Sequence, residues 1–130
     1  MKNLFEYFYK CSGVFTDTRN VLKHGLFIAL KGENFNGNKY ANTAIDKGAL
    51  YAIVDEIEYA NNTNIFLVEN CLLFLQSLAN NHRKKFNIPI IGITGTNGKT
   101  TSKELINAVL ETQLNVLATK GNLNNHIGRH

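Results

Sequence analysis

Three glycines, a lysine and four threonines lie in the stretch Gly92–Thr101, at the junction of an apolar run and a helical pattern. The apolar run, Ile88–Ile93, predicts a buried strand, and the helical pattern continues from about Thr100 to Thr112. Glycines let successive backbone N–H groups point at one anion, and the amino end of a helix adds the positive end of its dipole. This order of strand, glycine loop and helix predicts a site for phosphate groups.

The side chains of the loop favour a nucleoside triphosphate. Lys99 is placed as a mobile cation for the outer phosphates, and the Thr100 hydroxyl is the kind of ligand that Mg²⁺ takes. The strict pattern G-x-x-x-x-G-K-[ST] requires glycine where Ile93 stands, but Gly98-Lys99-Thr100 is intact. The alternative is a plain strand-to-helix turn with a solvated lysine. The predicted phosphate-binding residues are Gly95, Thr96, Asn97, Gly98, Lys99, Thr100 and Thr101.

Apolar strands and helical patterns alternate along the rest of the chain, which predicts an α/β fold. The only proline, Pro89, follows a predicted helix end, so we place a domain boundary there, between residues 1–86 and 87–130. Strands are predicted at 14–17, 25–30, 49–54, 64–68 and 114–118. Helices are predicted at 1–10, 40–48 and 70–86, the last capped by Asn70 and burying Cys71.

Composition narrows the class of protein. The chain has 130 residues, 44% of them apolar and 18% charged, so it can form a packed core. A net charge of +4 suits anionic, phosphorylated ligands. Its one basic run, Arg83-Lys84-Lys85, ends a predicted helix, so we expect no nucleic-acid partner. Two cysteines without a C-x-x-C motif, no signal peptide and no apolar span predict a cytoplasmic protein without membrane insertion.

A second polar cluster lies at Thr16-Asp17-Thr18-Arg19. It predicts either a side-chain-capped turn with a surface arginine or a polar pocket in which the guanidinium binds a phosphate. His24, His82 and His126 lie too far apart in sequence to suggest a metal site.

The run Thr94–Thr101 resembles the ATP loop of the Mur ligases, bacterial enzymes that build the cell-wall peptide. That family's loop departs from the strict pattern in the same way, whereas the related folylpolyglutamate synthases usually carry Gly-Lys-Gly-Ser. The resemblance implies ATP and Mg²⁺, with Lys99 as the catalytic cation and Thr100 as the metal ligand.

Two further blocks carry the resemblance. Thr16–Arg19, Gly25–Gly32 and Ala44–Ala49 are similar to the family's small N-terminal domain, which holds the UDP end of the substrate. This implies substrate contacts from Asp17, Thr18 and Arg19. The run Gly121–Gly128 resembles the branch that adds D-alanyl-D-alanine to UDP-N-acetylmuramoyl-tripeptide. It implies contacts from Asn124, Asn125 and His126; from spacing alone, it is equally a polar turn.

The chain departs from the family in two places. Asn36-Gly37-Asn38 stands where the family usually has Asp-Gly-His, and Arg129-His130 stands where an apolar residue and proline usually follow. The first departure argues against a charge-based role of that loop, because asparagine carries no charge. Gly37 keeps the turn.

The resemblance implies an ATP-dependent amide ligase of peptidoglycan precursor synthesis that forms an acyl phosphate. Because the family's enzymes have three domains, we expect this chain to be an N-terminal part, to be inactive alone and to be monomeric. The alternatives are another Mur ligase member, a stand-alone nucleotide-binding module, or a different P-loop phosphotransferase. A P-loop phosphotransferase usually has its P-loop near the N-terminus, whereas in this chain about 90 residues precede the glycine loop.

Overall fold

The computed structural model describes residues 3–121 and divides the chain into two compact units, Met1–Asn81 and His82–His130. The boundary falls inside a helix, a few residues before the linker predicted around Pro89. The α/β fold class predicted from sequence is confirmed.

A parallel four-stranded sheet forms the centre of the first unit. Its strands are β1 (Val14–Phe15), β2 (Leu26–Ile28), β5 (Tyr51–Val54) and β6 (Ile65–Leu67), in the spatial order β1-β2-β5-β6. Leu26 pairs with Val14 on one side and Tyr51 on the other. The middle strands are apolar throughout, as expected of parallel strands covered on both faces.

Helices pack against this sheet through small and branched side chains. The short α1 (Phe5–Phe8) precedes β1, α2 (Ala41–Asp46) precedes β5, and α3 (Cys71–Arg83) follows β6. The side-chain oxygen of Asn70 accepts a 2.9 Å hydrogen bond from the Leu73 N–H, which confirms the predicted cap of α3. The residues buried in the core are Phe15, Leu26, Phe27, Ile28, Ala29, Ala41, Ala44, Ala49, Ala52, Ile53, Val54, Ile65, Cys71, Leu75 and Leu78.

The segment between β2 and α2, which lies outside the predicted strands and helices, contains regular structure. A hairpin of β3 (Lys31–Gly32) and β4 (Phe35–Asn36) leads into a 3-10 helix, Gly37–Tyr40. A second 3-10 helix, Ile57–Tyr59, lies between β5 and β6.

The second unit contains α4 (Lys99–Leu110), close to its predicted bounds. The strands predicted at 88–93 and 114–118 are wrong for this chain, because neither segment forms a β-ladder in the described residues. Ile90 and Ile91 are 63% and 61% exposed, and Leu117 is 99% exposed. A strand requires partner strands, and an apolar run does not specify that they are present.

Within residues 3–121, no helix is both long enough and apolar enough to cross a bilayer.

Candidate functional site

The glycine loop leads directly into α4. Gly98 has φ +74°, a left-handed conformation that favours glycine, and α4 begins at the next residue, Lys99. Ser102 donates the first helical hydrogen bond, 2.9 Å, to the Gly98 carbonyl. The amino end of α4 and the positive end of its dipole therefore lie at the loop.

Lys99 and Thr100 line the same small open cleft, about 110 Å³ in volume. The Lys99 ammonium donates a hydrogen bond back to the Gly95 carbonyl, so the cation already lies over the loop. A phosphate bound there would compete with this carbonyl for the ammonium. The residues that line the cleft are Ile91, Ile93, Lys99, Thr100, Lys103, Thr119 and Gly121.

Thr100, the predicted metal ligand, lies in the first turn of α4, and its hydroxyl oxygen is of the type that hard divalent cations bind. Within the described residues, no group of three or more His, Cys, Asp or Glu side chains could hold a metal ion. The Thr100 hydroxyl would fit a cation whose other ligands are phosphate oxygens.

The Asp17 turn lies in the first unit, just after β1. Asp17 Oδ1 accepts a 2.9 Å hydrogen bond from the Arg19 N–H, the side-chain-capped turn that was one of the two predictions. The Arg19 Nη2 donates to Asp17 Oδ2 at 2.6 Å, and the Arg19 side chain is 88% exposed. Hydrogen bonds from Arg19 lower the pKa of Asp17 to about 2. At neutral pH the guanidinium is thus paired but accessible.

A partly buried polar cluster after β2 and β5 was missed by the sequence analysis. Asn38 is fully buried, donates to Asp55 Oδ1 at 2.9 Å and accepts from the Asp55 N–H at 2.9 Å. The Lys31 ammonium lies 2.9 Å from Asp55 Oδ1, and Asn36 donates to the Glu56 carboxylate at 3.0 Å. We call these five residues, Lys31, Asn36, Asn38, Asp55 and Glu56, the polar cluster.

Asp55 is the centre of this cluster. Its Oδ2 accepts a 3.1 Å hydrogen bond from the Cys71 N–H at the start of α3, and its side chain is 5% exposed. Burial opposes ionisation, but hydrogen bonds from the Cys71 N–H, Lys31 and Asn38 outweigh it and hold the pKa of Asp55 below its usual value. One carboxylate therefore joins the β2–α2 connection to α3.

The Asp17 turn and the polar cluster belong to the same edge of the sheet. Asp17 follows β1, Lys31 follows β2 and Asp55 follows β5, and all of these strands are parallel. In open α/β sheets, ligands bind outside the carboxyl ends of the strands. The sequence signal that could have revealed the polar cluster is the position of Lys31 and Asp55, each directly after a predicted apolar strand, 25–30 and 49–54.

The predicted site residues fall into three groups. Gly95–Thr101 form one continuous loop and helix start, and Asp17–Arg19 form one turn in the first unit. Asn124, Asn125 and His126 lie outside the described residues.

Comparison with known proteins points to one family. Residues 93–130 match the family model of the Mur ligase middle domain. The chain is 44% identical over 118 residues to the UDP-N-acetylmuramoyl-tripeptide–D-alanyl-D-alanine ligase of Bacillus subtilis, covering 89% of this chain and 26% of that one. It is 36% identical over 120 residues to the UDP-N-acetylmuramoyl-L-alanyl-D-glutamate–2,6-diaminopimelate ligase of Caldanaerobacter subterraneus, covering 90% of this chain and 25% of that one.

A solved structure of a Mur ligase also resembles this chain. The MurF ligase from Thermotoga maritima, determined in complex with ADP, superposes with a TM-score of 0.81 and 31% identity, covering 98% of this chain and 29% of that one. The chain spans about a quarter of the length of the curated relatives it matches.

Proposed function

Because the chain belongs to the Mur ligase family, we propose that it supplies the ATP phosphate loop and the uridine-nucleotide region of a cytoplasmic, ATP-dependent peptidoglycan precursor ligase. The observation that carries this proposal is the start of α4 at Lys99, directly after a left-handed Gly98, with Lys99 and Thr100 lining one cleft. The reaction would join D-alanyl-D-alanine to UDP-N-acetylmuramoyl-tripeptide.

The proposed chemistry has two steps. The tripeptide carboxylate attacks the γ-phosphorus of ATP, giving an acyl phosphate and ADP, and the amine of D-alanyl-D-alanine then displaces phosphate to form the amide. Lys99 would exchange its bond to the Gly95 carbonyl for the transferring phosphoryl group and stabilise its charge. Mg²⁺ on the phosphates, with Thr100 as a ligand, would supply further charge neutralisation. Gly95–Thr101 would hold the phosphates through backbone N–H groups.

Substituting Lys99 tests the nucleotide part. In the protein expressed from its complete reading frame, we expect Lys99→Ala to reduce turnover at least about a hundredfold, because the γ-phosphoryl charge loses its cation. Phosphate release coupled to ligation is the assay, and an unchanged melting temperature checks the fold. Lys84→Ala removes the same charge from the basic run as a matched control. Normal ATP affinity and rate in Lys99→Ala would contradict the assignment.

The uridine nucleotide is proposed to bind at the carboxyl edge of the first unit's sheet, near Asp17, Thr18, Arg19 and the segment 32–40. Support comes from the parallel order of β1 and β2 and from the exposed Arg19 guanidinium. A diphosphate would compete with Asp17 for this guanidinium.

Titration of UDP into the isotopically labelled 130-residue chain checks this placement. The amide signals of 17–19 and 32–40 are expected to shift, and Arg19→Ala is expected to weaken binding about tenfold, the value of one charge-assisted contact. Lys84→Ala serves as the charge-matched control. Shifts confined to other amides at millimolar UDP would show that the pocket is misplaced.

Two alternatives are separated by assay. Addition of 2,6-diaminopimelate to the dipeptide precursor is favoured less, because the relative named for that reaction is 36% rather than 44% identical. A stand-alone nucleotide-binding module would bind ATP yet catalyse neither ligation. We expect the 130-residue polypeptide by itself to bind nucleotide weakly, as a monomer, and to catalyse no ligation.

A further inference from the structure

Lys103 is a charged residue that the proposed chemistry does not use. It lies one helical turn after Lys99, on the same face of α4, and it also lines the cleft. Its side chain is only 15% exposed, although none of the α4 residues, all of them described, is buried as a whole. A lysine that gives up most of its hydration requires partners that replace the lost water.

Three acceptors surround the Lys103 ammonium. Its Nζ donates to the Thr119 carbonyl at 2.6 Å and to the Gly121 carbonyl at 3.0 Å, and it lies 3.1 Å from Glu104 Oε1. An ammonium group has three N–H donors, so three acceptors satisfy it completely. Lys99, in contrast, contacts a carbonyl inside the phosphate loop.

This difference assigns distinct roles to the two lysines. To bind a phosphate, Lys103 would have to release two carbonyls from sixteen and eighteen residues further along the chain. We therefore propose that Lys103 is a positioning residue, which fixes the segment Thr119–Gly121 against α4 and so shapes the wall of the cleft next to the phosphate loop.

The position of this segment gives the contact a functional consequence. Thr119 and Gly121 line the cleft together with Thr100, and the asparagine-rich run begins immediately after Gly121. Lys103 would thus hold the residues that immediately precede the rest of that run in sequence. This inference deepens the proposed function and rests on it, because the resemblance implies that Asn124, Asn125 and His126 contact the uridine-linked substrate.

The first test is spectroscopic and uses the 130-residue chain. Lys103→Met keeps the length of the side chain and removes the ammonium, so the carbonyl ¹³C signals of Thr119 and Gly121 are expected to shift. Lys84→Met is the matched control, because it removes an exposed lysine that is distant in sequence from both carbonyls. Unchanged carbonyl signals in Lys103→Met would overturn the proposal.

The second test separates positioning from phosphate binding. In the protein expressed from its complete reading frame, Lys103→Met is expected to raise the KM for the uridine-diphosphate precursor about tenfold, which corresponds to the loss of charge-assisted hydrogen bonds. The KM for ATP is expected to stay unchanged. An increase confined to the KM for ATP, with loss of ADP binding as in Lys99→Ala, would make Lys103 a phosphate ligand and overturn the proposal.

A second variant keeps the test decisive if Lys103→Met does not fold. Lys103→Arg retains the charge but replaces the compact ammonium with a planar fork, so intermediate carbonyl shifts and an intermediate KM are expected. A raised KM for ATP, together with wild-type carbonyl signals and a wild-type KM for the uridine-diphosphate precursor, would overturn the proposal. Lys99→Ala distinguishes the two levels of inference: if it binds ADP and turns over normally, the proposed function fails, whatever Lys103 does.

Discussion

At the scale of single residues, Asp55 shows how one buried carboxylate can organise an edge of a sheet. It accepts hydrogen bonds from Asn38 and from the Cys71 N–H, and it pairs with the Lys31 ammonium. Removing a buried partner leaves the other polar groups without compensation, which costs more than the net value of each bond. Asp55 is therefore a residue of the first unit whose ionisation should be measurable as stability.

The sign of this effect follows from the direction of the pKa shift. The pKa of Asp55 is lower in the folded chain than its unfolded value of about 3.9. The stability it contributes is fully present above that unfolded value and is lost as the pH falls through the lower folded pKa. The pKa of Lys31 is raised, mainly by its hydrogen bond to Asp55. Its contribution to stability is therefore lost only in strongly alkaline solution.

We predict that Asp55→Asn lowers the free energy of unfolding by about 1–3 kcal/mol at pH 7 and flattens its dependence on pH below about pH 4. Urea unfolding followed by circular dichroism between pH 2 and pH 7 measures both effects. Asp46→Asn makes the same charge change at an exposed position at the end of α2 and serves as the control. An equal acid dependence in wild type and Asp55→Asn would show that this carboxylate is not stabilised by its partners.

At the scale of elements, the turn from β2 to α2 depends on Gly37. A Cβ at this position would lie 2.5 Å from the Leu30 carbonyl oxygen, closer than such atoms approach, and the Gly37 N–H donates to that oxygen at 2.9 Å. This close approach places Asn36 and Asn38 beside Asp55 and Glu56. Glycine is required here because a Cβ would clash with the Leu30 carbonyl oxygen, and not because the backbone has a positive φ.

Gly37→Ala is accordingly predicted to lower the free energy of unfolding by about 1–3 kcal/mol, the usual cost of forcing an extra methyl group into a packed site. Gly32→Ala is the matched control, because a Cβ there meets nothing within 4 Å. Denaturant titrations of the two variants provide the comparison. Equal stability of both variants would mean that the turn relaxes without loss.

The elements also show what sequence reasoning can and cannot reach. Apolar runs located β2, β5 and β6, the Asn70 cap located the start of α3, and Gly98-Lys99 located the start of α4. These features are local, so a short window contains them. In the polar cluster, Asn38 and Asp55 are seventeen residues apart in sequence. In the second unit, Lys103 and Thr119 are sixteen residues apart. No local pattern predicts either contact. The failed strands at 88–93 and 114–118 have the same cause, since an apolar run does not reveal its partner strands.

At the scale of the whole molecule, the two units differ in how much apolar surface they bury. The first has a core of fully buried strand residues, including Leu26, Phe27 and Ile53. In the second, α4 has no buried residue among its twelve described positions, and Leu105 and Val109 are 64% and 70% exposed. Burial of apolar side chains is the dominant favourable term in folding, so the units should differ in stability.

We predict that amide hydrogens of α4 exchange with solvent faster than those of β2 and β5 in the 130-residue chain. Isolated helices of about twelve residues are marginal in water, and α4 gains little from burial. Hydrogen exchange followed by mass spectrometry resolves the two segments. Addition of ATP and Mg²⁺ is expected to slow exchange in the first turn of α4 and to leave β2 and β5 unchanged, because a ligand stabilises the part of the chain that it binds. Equal protection of α4 and the strands without nucleotide would show that the second unit is stabilised by contacts other than apolar burial.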